Sequence, residues 1–192
     1  MSQEVEIEFK NMLTGEEYKT LLAAYRINKE EIKTQTNDYF DTKEFHIREK
    51  GAALRVRNKN GNLVLTLKEP ATEGLLETHQ TISNETFHSI QSSGVLPAGE
   101  VREQLKRLGV QSLLVHLGNL TTHRAELQLT TGLLVLDHSE YLDQEDYEME
   151  FEVSDFEKGK RDFESVLTKH HIPKREAKNK ILRFFLASKE QG

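Results

Sequence analysis

The sequence predicts an α+β fold in which helices flank one mainly antiparallel sheet of about eight strands. Three observations favour this fold. The predicted elements run strand, helix, four strands, helices, four strands, helices, without the strand–helix alternation of a parallel sheet. Charged and apolar residues alternate along most of the strands. The 192 residues contain only three prolines and no Pro- or Gly-rich linker, so we expect a single domain over residues 1–192.

The N-terminal half supplies one helix and the first five strands. Thr14 is a candidate N-cap with Glu17 three residues later, which is the pattern of a capping box at the start of a helix. Asn60-Gly61 lies between two alternating runs and predicts a hairpin turn. The predicted elements are strand 4–10, helix 14–26, strand 36–42, hairpin 51–69 and strand 75–82.

The C-terminal half supplies the remaining strands and four helices. Asn84 is the expected cap of the first of these helices, and Gly109 is expected to end the second. The helices are predicted at 84–92, 98–108, 155–170 and 175–188, and the four strands lie in 112–129, 133–142 and 147–153.

Composition narrows the classes of function. The chain lacks cysteine, which excludes disulfides, thiolate catalysis and cysteine-ligated zinc. It has no apolar run of the roughly 18 residues that a membrane-spanning helix needs and no secretory leader, so we expect a cytoplasmic protein without a membrane partner. The net charge of −6 argues against binding to a nucleic acid duplex. Neither a P-loop nor a dinucleotide-binding glycine motif occurs.

The charges of the strands are segregated by sign. Arg55 and Arg57 share one face of their strand, and Glu148, Glu150 and Glu152 share one face of another. These faces could be open to solvent, or the sheet could close into a barrel with its charges inside and its apolar outer wall covered by helices. Like charges side by side repel, so single-sign rows favour the barrel, with groups of opposite charge between them.

Several motifs carry a family resemblance. "EIEFK" at residues 6–10 fits an ExExK pattern, and it is followed in order by "YFDT", "REKGAALRVR", "LTLKE", "HRAEL", "LDHSEYL" and "YEMEFEV". This ordered set resembles the CYTH superfamily, the triphosphate tunnel metalloenzymes, over roughly residues 4–183. The sequence is most similar to the uncharacterised bacterial branch labelled "putative adenylate cyclase". The resemblance implies an eight-stranded antiparallel β-barrel, or tunnel, with a charged interior and flanking helices.

The resemblance also implies the site. It implies that the cationic residues Lys10, Arg55, Arg57, Lys68, Arg124 and Lys180 bind the triphosphate. It also implies that one or two divalent metals, Mg²⁺ or Mn²⁺, are bound by the carboxylates Glu6, Glu8, Asp137, Glu148 and Glu150. The catalytic group is Glu6, Glu8, Lys10 and Arg57. Lys178 and Arg183 compete with Lys180 for the last cationic position, and Glu152 is expected in an outer shell or at the tunnel mouth.

The expected function is metal-dependent hydrolysis of a linear triphosphate. Arginine and lysine suit phosphate oxygens, and Mg²⁺ and Mn²⁺ prefer carboxylate oxygens, so the two charge sets match two tasks. Inorganic tripolyphosphate is the first candidate substrate and nucleoside or thiamine triphosphate the second, since the sequence shows no aromatic clamp for an organic group. The alternatives are an adenylate cyclase that makes cyclic AMP from ATP and a polyphosphate- or nucleotide-binding module without turnover. The sequence leaves open the oligomeric state, the number of metals and the substrate.

Overall fold

The computed structural model describes residues 2–191, and its eight strands form one closed antiparallel barrel. Around the barrel they pair in the order β1-β5-β4-β3-β2-β6-β7-β8. The predicted fold class is therefore confirmed. The strands are β1 (Ser2–Leu13), β2 (Lys33–Thr42), β3 (Ala53–Lys59), β4 (Asn62–Pro70), β5 (Leu75–Ile82), β6 (Leu114–Gln128), β7 (Gly132–Tyr141) and β8 (Gln144–Val153).

Six α-helices lie among the described residues. They are α1 (Gly15–Ala24), α2 (His46–Glu49), α3 (Asn84–Ser93), α4 (Glu100–Arg107), α5 (Phe156–Lys169) and α6 (Lys180–Gln191), and a single 3₁₀ turn covers Lys29–Glu31. Each of the helices in residues 2–191 is too short or too polar to cross a bilayer.

Two local predictions are confirmed. Thr14 accepts a hydrogen bond from the backbone N–H of Glu17, and the Glu17 side chain accepts one from the backbone N–H of Thr14, which completes the capping box. Asn60 and Gly61 both have positive φ, at 54° and 81°, as a two-residue type I′ hairpin requires. Because this turn type matches the twist of the flanking strands, it fixes the register of β3 against β4.

Several elements differ from the predictions. Residues 112–129 form one strand, β6, instead of two, so residues 112–153 hold three strands. The N-cap of α3 is Ser83, one residue before the predicted Asn84, because the Ser83 hydroxyl accepts from the backbone N–H of Thr86. The last helix begins at Lys180, five residues later than predicted. The short helix α2 was not predicted.

The chain divides into two compact units, which are described separately. Unit 1 comprises the residues up to Val5 and Gln35–Leu120, and unit 2 comprises Glu6–Thr34 and the residues from Thr121 onward. The single domain expected over residues 1–192 stays a prediction.

In unit 1, helices α2, α3 and α4 cover the apolar face of strands β3 and β4. Leu54 and Val56 of β3 are at most 1% exposed and belong to one apolar cluster with Ile90 of α3 and Val101 of α4. Residues of a strand alternate between faces, so Arg55 and Arg57 lie on the other face of β3. Strand β3 therefore has one apolar face, which the helices cover, and one charged face.

Unit 2 repeats this arrangement around β7 and β8. Leu134, Met149 and Phe151 are at most 1% exposed and pack with Tyr18 of α1 and Phe163 of α5. The glutamates of β8 alternate with these residues and lie on the opposite face. Helices thus cover the apolar wall of both units, and the charges line the inner face of the barrel.

A glycine at the end of α3 provides a test of the packing in unit 1. Gly94 has φ of +70°, and a Cβ at this residue would lie 2.2 Å from the carbonyl oxygen of Leu114. Gly109 has a similar φ of +82°, but its Cβ would contact nothing within 4 Å. We expect Gly109→Ala to cost about 1–2 kcal/mol through the left-handed backbone alone. Gly94→Ala should cost about 2 kcal/mol more, because the overpacked backbone must also shift.

Urea unfolding of both variants measures the difference. Equal losses in the free energy of unfolding would contradict the close packing of Gly94 against β6.

Candidate active site

Strand β8 carries the acidic row of unit 2. The register places Glu148 opposite Asp137 of β7 and Glu150 opposite Lys10 of β1. Directly opposed residues of an antiparallel pair share a face, so these side chains point to the same side of the sheet. Glu148 is 0% exposed and Glu150 4% exposed. The row is therefore both charged and withdrawn from water.

Two cations neutralise this row from within the protein. The guanidinium group of Arg124 donates two hydrogen bonds to Asp137, at 2.8 and 2.7 Å, and one to Glu150 at 3.0 Å. The ammonium group of Lys180 lies 2.8 Å from a carboxylate oxygen of Asp137 and 2.8 Å from one of Glu150, and it also donates to Glu148. The sequence predicted opposite charge between the rows, and here the opposite charge belongs to the protein's own side chains.

Arg183 of α6 completes this cluster. Its Nη1 atom pairs with the second carboxylate oxygen of Glu148, and its Nε atom lies 3.0 Å from Asp146. Of the three candidates for the last cationic position, Lys180 and Arg183 thus reach the acidic row, whereas the Lys178 side chain is exposed. We call Arg124, Asp137, Glu148, Glu150, Lys180 and Arg183 the paired cluster.

The pKa values of the carboxyl groups in the paired cluster are shifted in opposite directions. Burial alone would raise the pKa of Glu150, but Lys180, Arg124 and Lys10 lower that pKa well below its usual value. The pKa of Asp137 is lowered for the same reason, by Arg124 and Lys180. Burial raises the pKa of Glu148 to about 7, since the pull of Lys180 is opposed by the charge of Glu150. Of these three carboxyl groups, Glu148 therefore has the pKa closest to neutral.

A second group of carboxylates lies on β1 and β8. Glu6, Glu8 and Glu152 each offer an oxygen atom, and these atoms lie within 4.8 Å of one another. Lys10 approaches Glu8 at 2.9 Å. Burial raises the pKa of Glu152, and the charges of Glu150 and Glu8 raise it further, against the lowering effects of Arg124 and of a hydrogen bond with Glu6. We call Glu6, Glu8 and Glu152 the open trio, because its members are only partly buried.

The basic residues of unit 1 lie on the inner face of β3 and β4. The Lys68 ammonium group is 2.7 Å from Glu77 of β5, a residue that is 5% exposed. The Arg57 Nε atom donates to the side-chain oxygen of Asn37 at 2.9 Å. Arg55 lies opposite Tyr39 of β2. Lys68 and Arg57 are thus anchored by residues of neighbouring strands, and all three cations are partly exposed.

The structure divides the five predicted metal ligands between two places. Glu6 and Glu8 meet Glu152, which was expected in an outer shell or at the tunnel mouth, whereas Asp137, Glu148 and Glu150 meet cations. The metal-binding and catalytic roles of all these residues stay predictions.

Sequence reasoning missed the contact between Asn37 and Arg57 and the proximity of Glu152 to Glu6 and Glu8. The signal for Glu152 was present, since it continues the alternation of Glu148 and Glu150 on the same face of β8. No sequence pattern pairs Asn37 with Arg57, which lies on the next strand.

Comparison with known proteins agrees with this architecture. A family model of the CYTH domain matches residues 4–185. The chain belongs to the CYTH family. The resemblance drawn from the ordered motifs is thereby confirmed, over nearly the same residues.

Some relatives of this chain are named as triphosphatases and others as adenylate cyclases. "Putative triphosphatase YjbK" of Bacillus subtilis (strain 168) is 50% identical over 186 residues, which is 96% of each chain. The crystal structure of a "putative adenylate cyclase" from Bacillus halodurans is 40% identical, with a TM-score of 0.92, and the match covers 96% of this chain and 100% of that one.

A more distant structure bears on the difference between these names. It is a "putative adenylyl cyclase" from Hippeastrum, described as revealing a dominant triphosphatase activity. It is 25% identical, with a TM-score of 0.76, and the match covers 93% of this chain and 94% of that one.

The raised pKa of Glu148 predicts a specific dependence of stability on pH. A folded-state pKa of about 7, above the usual 4.5, means that the folded protein binds this proton more tightly than the unfolded chain does. The contribution of Glu148 to the free energy of unfolding should therefore fall as pH rises from about 4.5 to about 7. Glu148→Gln cannot titrate, so its stability relative to the parent should rise over that range by up to about 3 kcal/mol.

Urea unfolding at pH 5.5 and pH 8 measures this change. Glu145→Gln is the matched control, since Glu145 lies on the same strand and is exposed. Parallel pH profiles for the parent and Glu148→Gln would contradict the raised pKa. A constant loss of stability from breaking the pair with Lys180 does not affect the comparison.

Proposed function

We propose that this protein is a divalent-metal-dependent hydrolase of linear triphosphates, with inorganic tripolyphosphate as the first candidate substrate. One observation carries the proposal: within unit 2, the open trio of carboxylates lies beside Lys10, which itself approaches both Glu8 and Glu150. Carboxylates that hold a divalent cation next to an ammonium group are what the transfer of a phosphoryl group requires. The 50% identity to a protein named as a triphosphatase supports the same reaction.

The cationic residues bind and neutralise the substrate in this proposal. Transfer of a terminal phosphoryl group depends on positioning and on stabilising charge in the transition state. Guanidinium groups offer two parallel donors to phosphate oxygens, and ammonium groups act as compact charges. We assign this role to Lys10, Arg55, Arg57, Lys68, Arg124 and Lys180, the set implied by the family. Arg124 and Lys180 also neutralise the carboxylates of the paired cluster.

The open trio fits a bound Mg²⁺ or Mn²⁺ better than the paired cluster does. Its donors are carboxylate oxygens, which both ions prefer. The pKa of Glu152 is raised by burial and by neighbouring carboxylates, so the group has an excess of negative charge that a cation would relieve. The oxygens of the paired cluster already contact Arg124, Lys180 and Arg183. A metal held by Glu6, Glu8 and Glu152 would neutralise substrate charge and polarise water.

The chain's own residues perform the remaining steps. Glu6 and Glu8 orient the attacking water, whose oxygen forms a bond to the terminal phosphorus as the bridging P–O bond breaks. The water proton passes to a carboxylate of the site as the new P–O bond forms. Diphosphate leaves with its new negative charge neutralised by the cationic residues.

The product decides between this activity and a cyclase, which the name of the Bacillus halodurans protein suggests. With ATP and Mg²⁺ or Mn²⁺, we expect orthophosphate. Cyclic AMP with pyrophosphate would establish the cyclase instead. With tripolyphosphate we expect orthophosphate and diphosphate. Tight binding of tripolyphosphate without a product under either metal would leave only a binding module and overturn the proposal.

The assignment of the open trio predicts a metal-affinity defect. Glu152→Gln keeps the shape of the side chain but removes one charged ligand. We expect the dissociation constant for Mn²⁺ to rise roughly tenfold or more, since even an outer-shell change typically costs that much. The Mg²⁺ concentration for half-maximal hydrolysis should rise in parallel.

Calorimetric titration with Mn²⁺ measures the affinity directly, and Glu145→Gln serves again as the control on the same strand. Equal Mn²⁺ affinity in Glu152→Gln and Glu145→Gln would show that the metal lies elsewhere.

A further inference from the structure

Two amide side chains of β2 lie on the charged face of unit 1. Asn37 is directly opposite Arg57, and Tyr39, two residues later, is opposite Arg55. Gln35 precedes Asn37 by two residues and therefore shares the same face. Gln35 is 2% exposed and Asn37 0% exposed. Gln35 is opposite Lys59, and both amides are thus buried on the face that carries the arginines we assign to substrate binding.

The orientation of the Asn37 amide is fixed by its neighbour. The Nε atom of Arg57 carries a hydrogen and can only donate, so the Asn37 atom that it contacts at 2.9 Å must be the oxygen. The Asn37 NH₂ group then points away from Arg57. This group is buried and has no hydrogen-bond partner among residues 2–191. A flipped amide would place two donors against each other, so this donor cannot be satisfied by exchanging the two atoms.

Two further hydrogen-bond donors on these strands of unit 1 are also buried without an acceptor among the described residues. The Gln35 NH₂ group and the Nε atom of Arg55 are buried and find no acceptor in the described chain. Buried donors in folded proteins are nearly always paired, and an unpaired one destabilises the fold. All three donors lie on β2 and β3, which pair with each other. Such a concentration on one face indicates an acceptor that arrives with a ligand.

We propose that Gln35 and Asn37, with Arg55, form a subsite for the oxygens of one phosphoryl group of a linear polyphosphate. This inference rests on the proposed function and deepens it. A phosphoryl group offers several acceptor oxygens and no obligatory donor, which matches a site built from donors alone. Amide donors add hydrogen bonds without adding positive charge. The subsite therefore holds a phosphoryl group in place while the arginines neutralise it.

The test uses two substitutions that remove donors in different ways. Asn37→Asp keeps the acceptor for Arg57 but replaces the NH₂ group with a carboxylate oxygen. Gln35→Met removes the NH₂ group without adding charge and nearly preserves the shape. For each variant we expect the dissociation constant of inorganic tripolyphosphate, measured by calorimetry in EDTA, to rise roughly tenfold or more.

Asn58→Asp is the matched control for added charge. Asn58 follows Arg57 on β3, is exposed and lies on the opposite face, and its side-chain oxygen already serves as an acceptor, from the backbone N–H of Gly61. We expect Asn58→Asp to bind tripolyphosphate like the parent. If Asn37 only anchored Arg57, Asn37→Asp would also bind like the parent, because its carboxylate retains that contact.

Thermal unfolding separates a binding role from a structural one. Removal of an unpaired buried donor should leave the melting temperature of Gln35→Met equal to or above that of the parent, even as binding weakens. Weaker binding accompanied by a lower melting temperature would overturn the subsite. Weaker binding in Asn37→Asp alone would also overturn it, because added charge would then explain the effect.

The subsite and the proposed function fail in different ways. If the parent binds tripolyphosphate but does not hydrolyse it, the proposed function fails and the binding series still decides the subsite. If the parent hydrolyses tripolyphosphate and Gln35→Met binds it like the parent, the function stands and the subsite is wrong. A parent that binds no tripolyphosphate overturns the subsite.

Discussion

The inner face of unit 2 depends on the balance of charge in the paired cluster. Asp137, Glu148 and Glu150 are at most 4% exposed, and each would be costly to bury as an isolated ion. Arg124 and Lys180 offset that cost with close contacts to these carboxylates. Such a balance is a property of the whole set, because removing one partner leaves an uncompensated buried charge. The charged side chains of β6, β7, β8 and α6 therefore stabilise one another in the folded protein.

The same balance explains where α6 begins. Lys180 is the first residue of α6, and its side chain contacts the carboxylates of Asp137 and Glu150, which lie on strands. The preceding chain, at 172–179, is tied to β1 and α1: the backbone N–H of Arg175 donates to Asn11, and the Arg175 guanidinium group makes two hydrogen bonds to Glu17. Helical periodicity alone extended this helix back to residue 175. Tertiary contacts hold that stretch in a non-helical conformation, which places Lys180 on the carboxylates.

The sequence predicted the faces of the strands better than the partners of their side chains. Alternation with period two separates Glu150 from Met149 and Phe151 without knowledge of the fold. The contact between Lys10 and Glu150, by contrast, joins residues 140 positions apart and depends on the register of β1 against β8. Residues 112–129, where two strands were expected, form the single strand β6, which continues through Gly118 with φ of 145°.

The open trio and the paired cluster represent two solutions to the same electrostatic problem. In the paired cluster, side chains of the protein supply the opposite charge. In the open trio, burial and the charges of Glu150 and Glu8 raise the pKa of Glu152 against the pull of Arg124. In unit 1, the NH₂ groups of Gln35 and Asn37 are buried without a hydrogen-bond acceptor among the described residues. A fold optimised for stability alone would remove both, since each disfavours the ligand-free protein. Under the two proposals, a divalent cation completes the trio in unit 2 and a phosphoryl group completes the donors in unit 1.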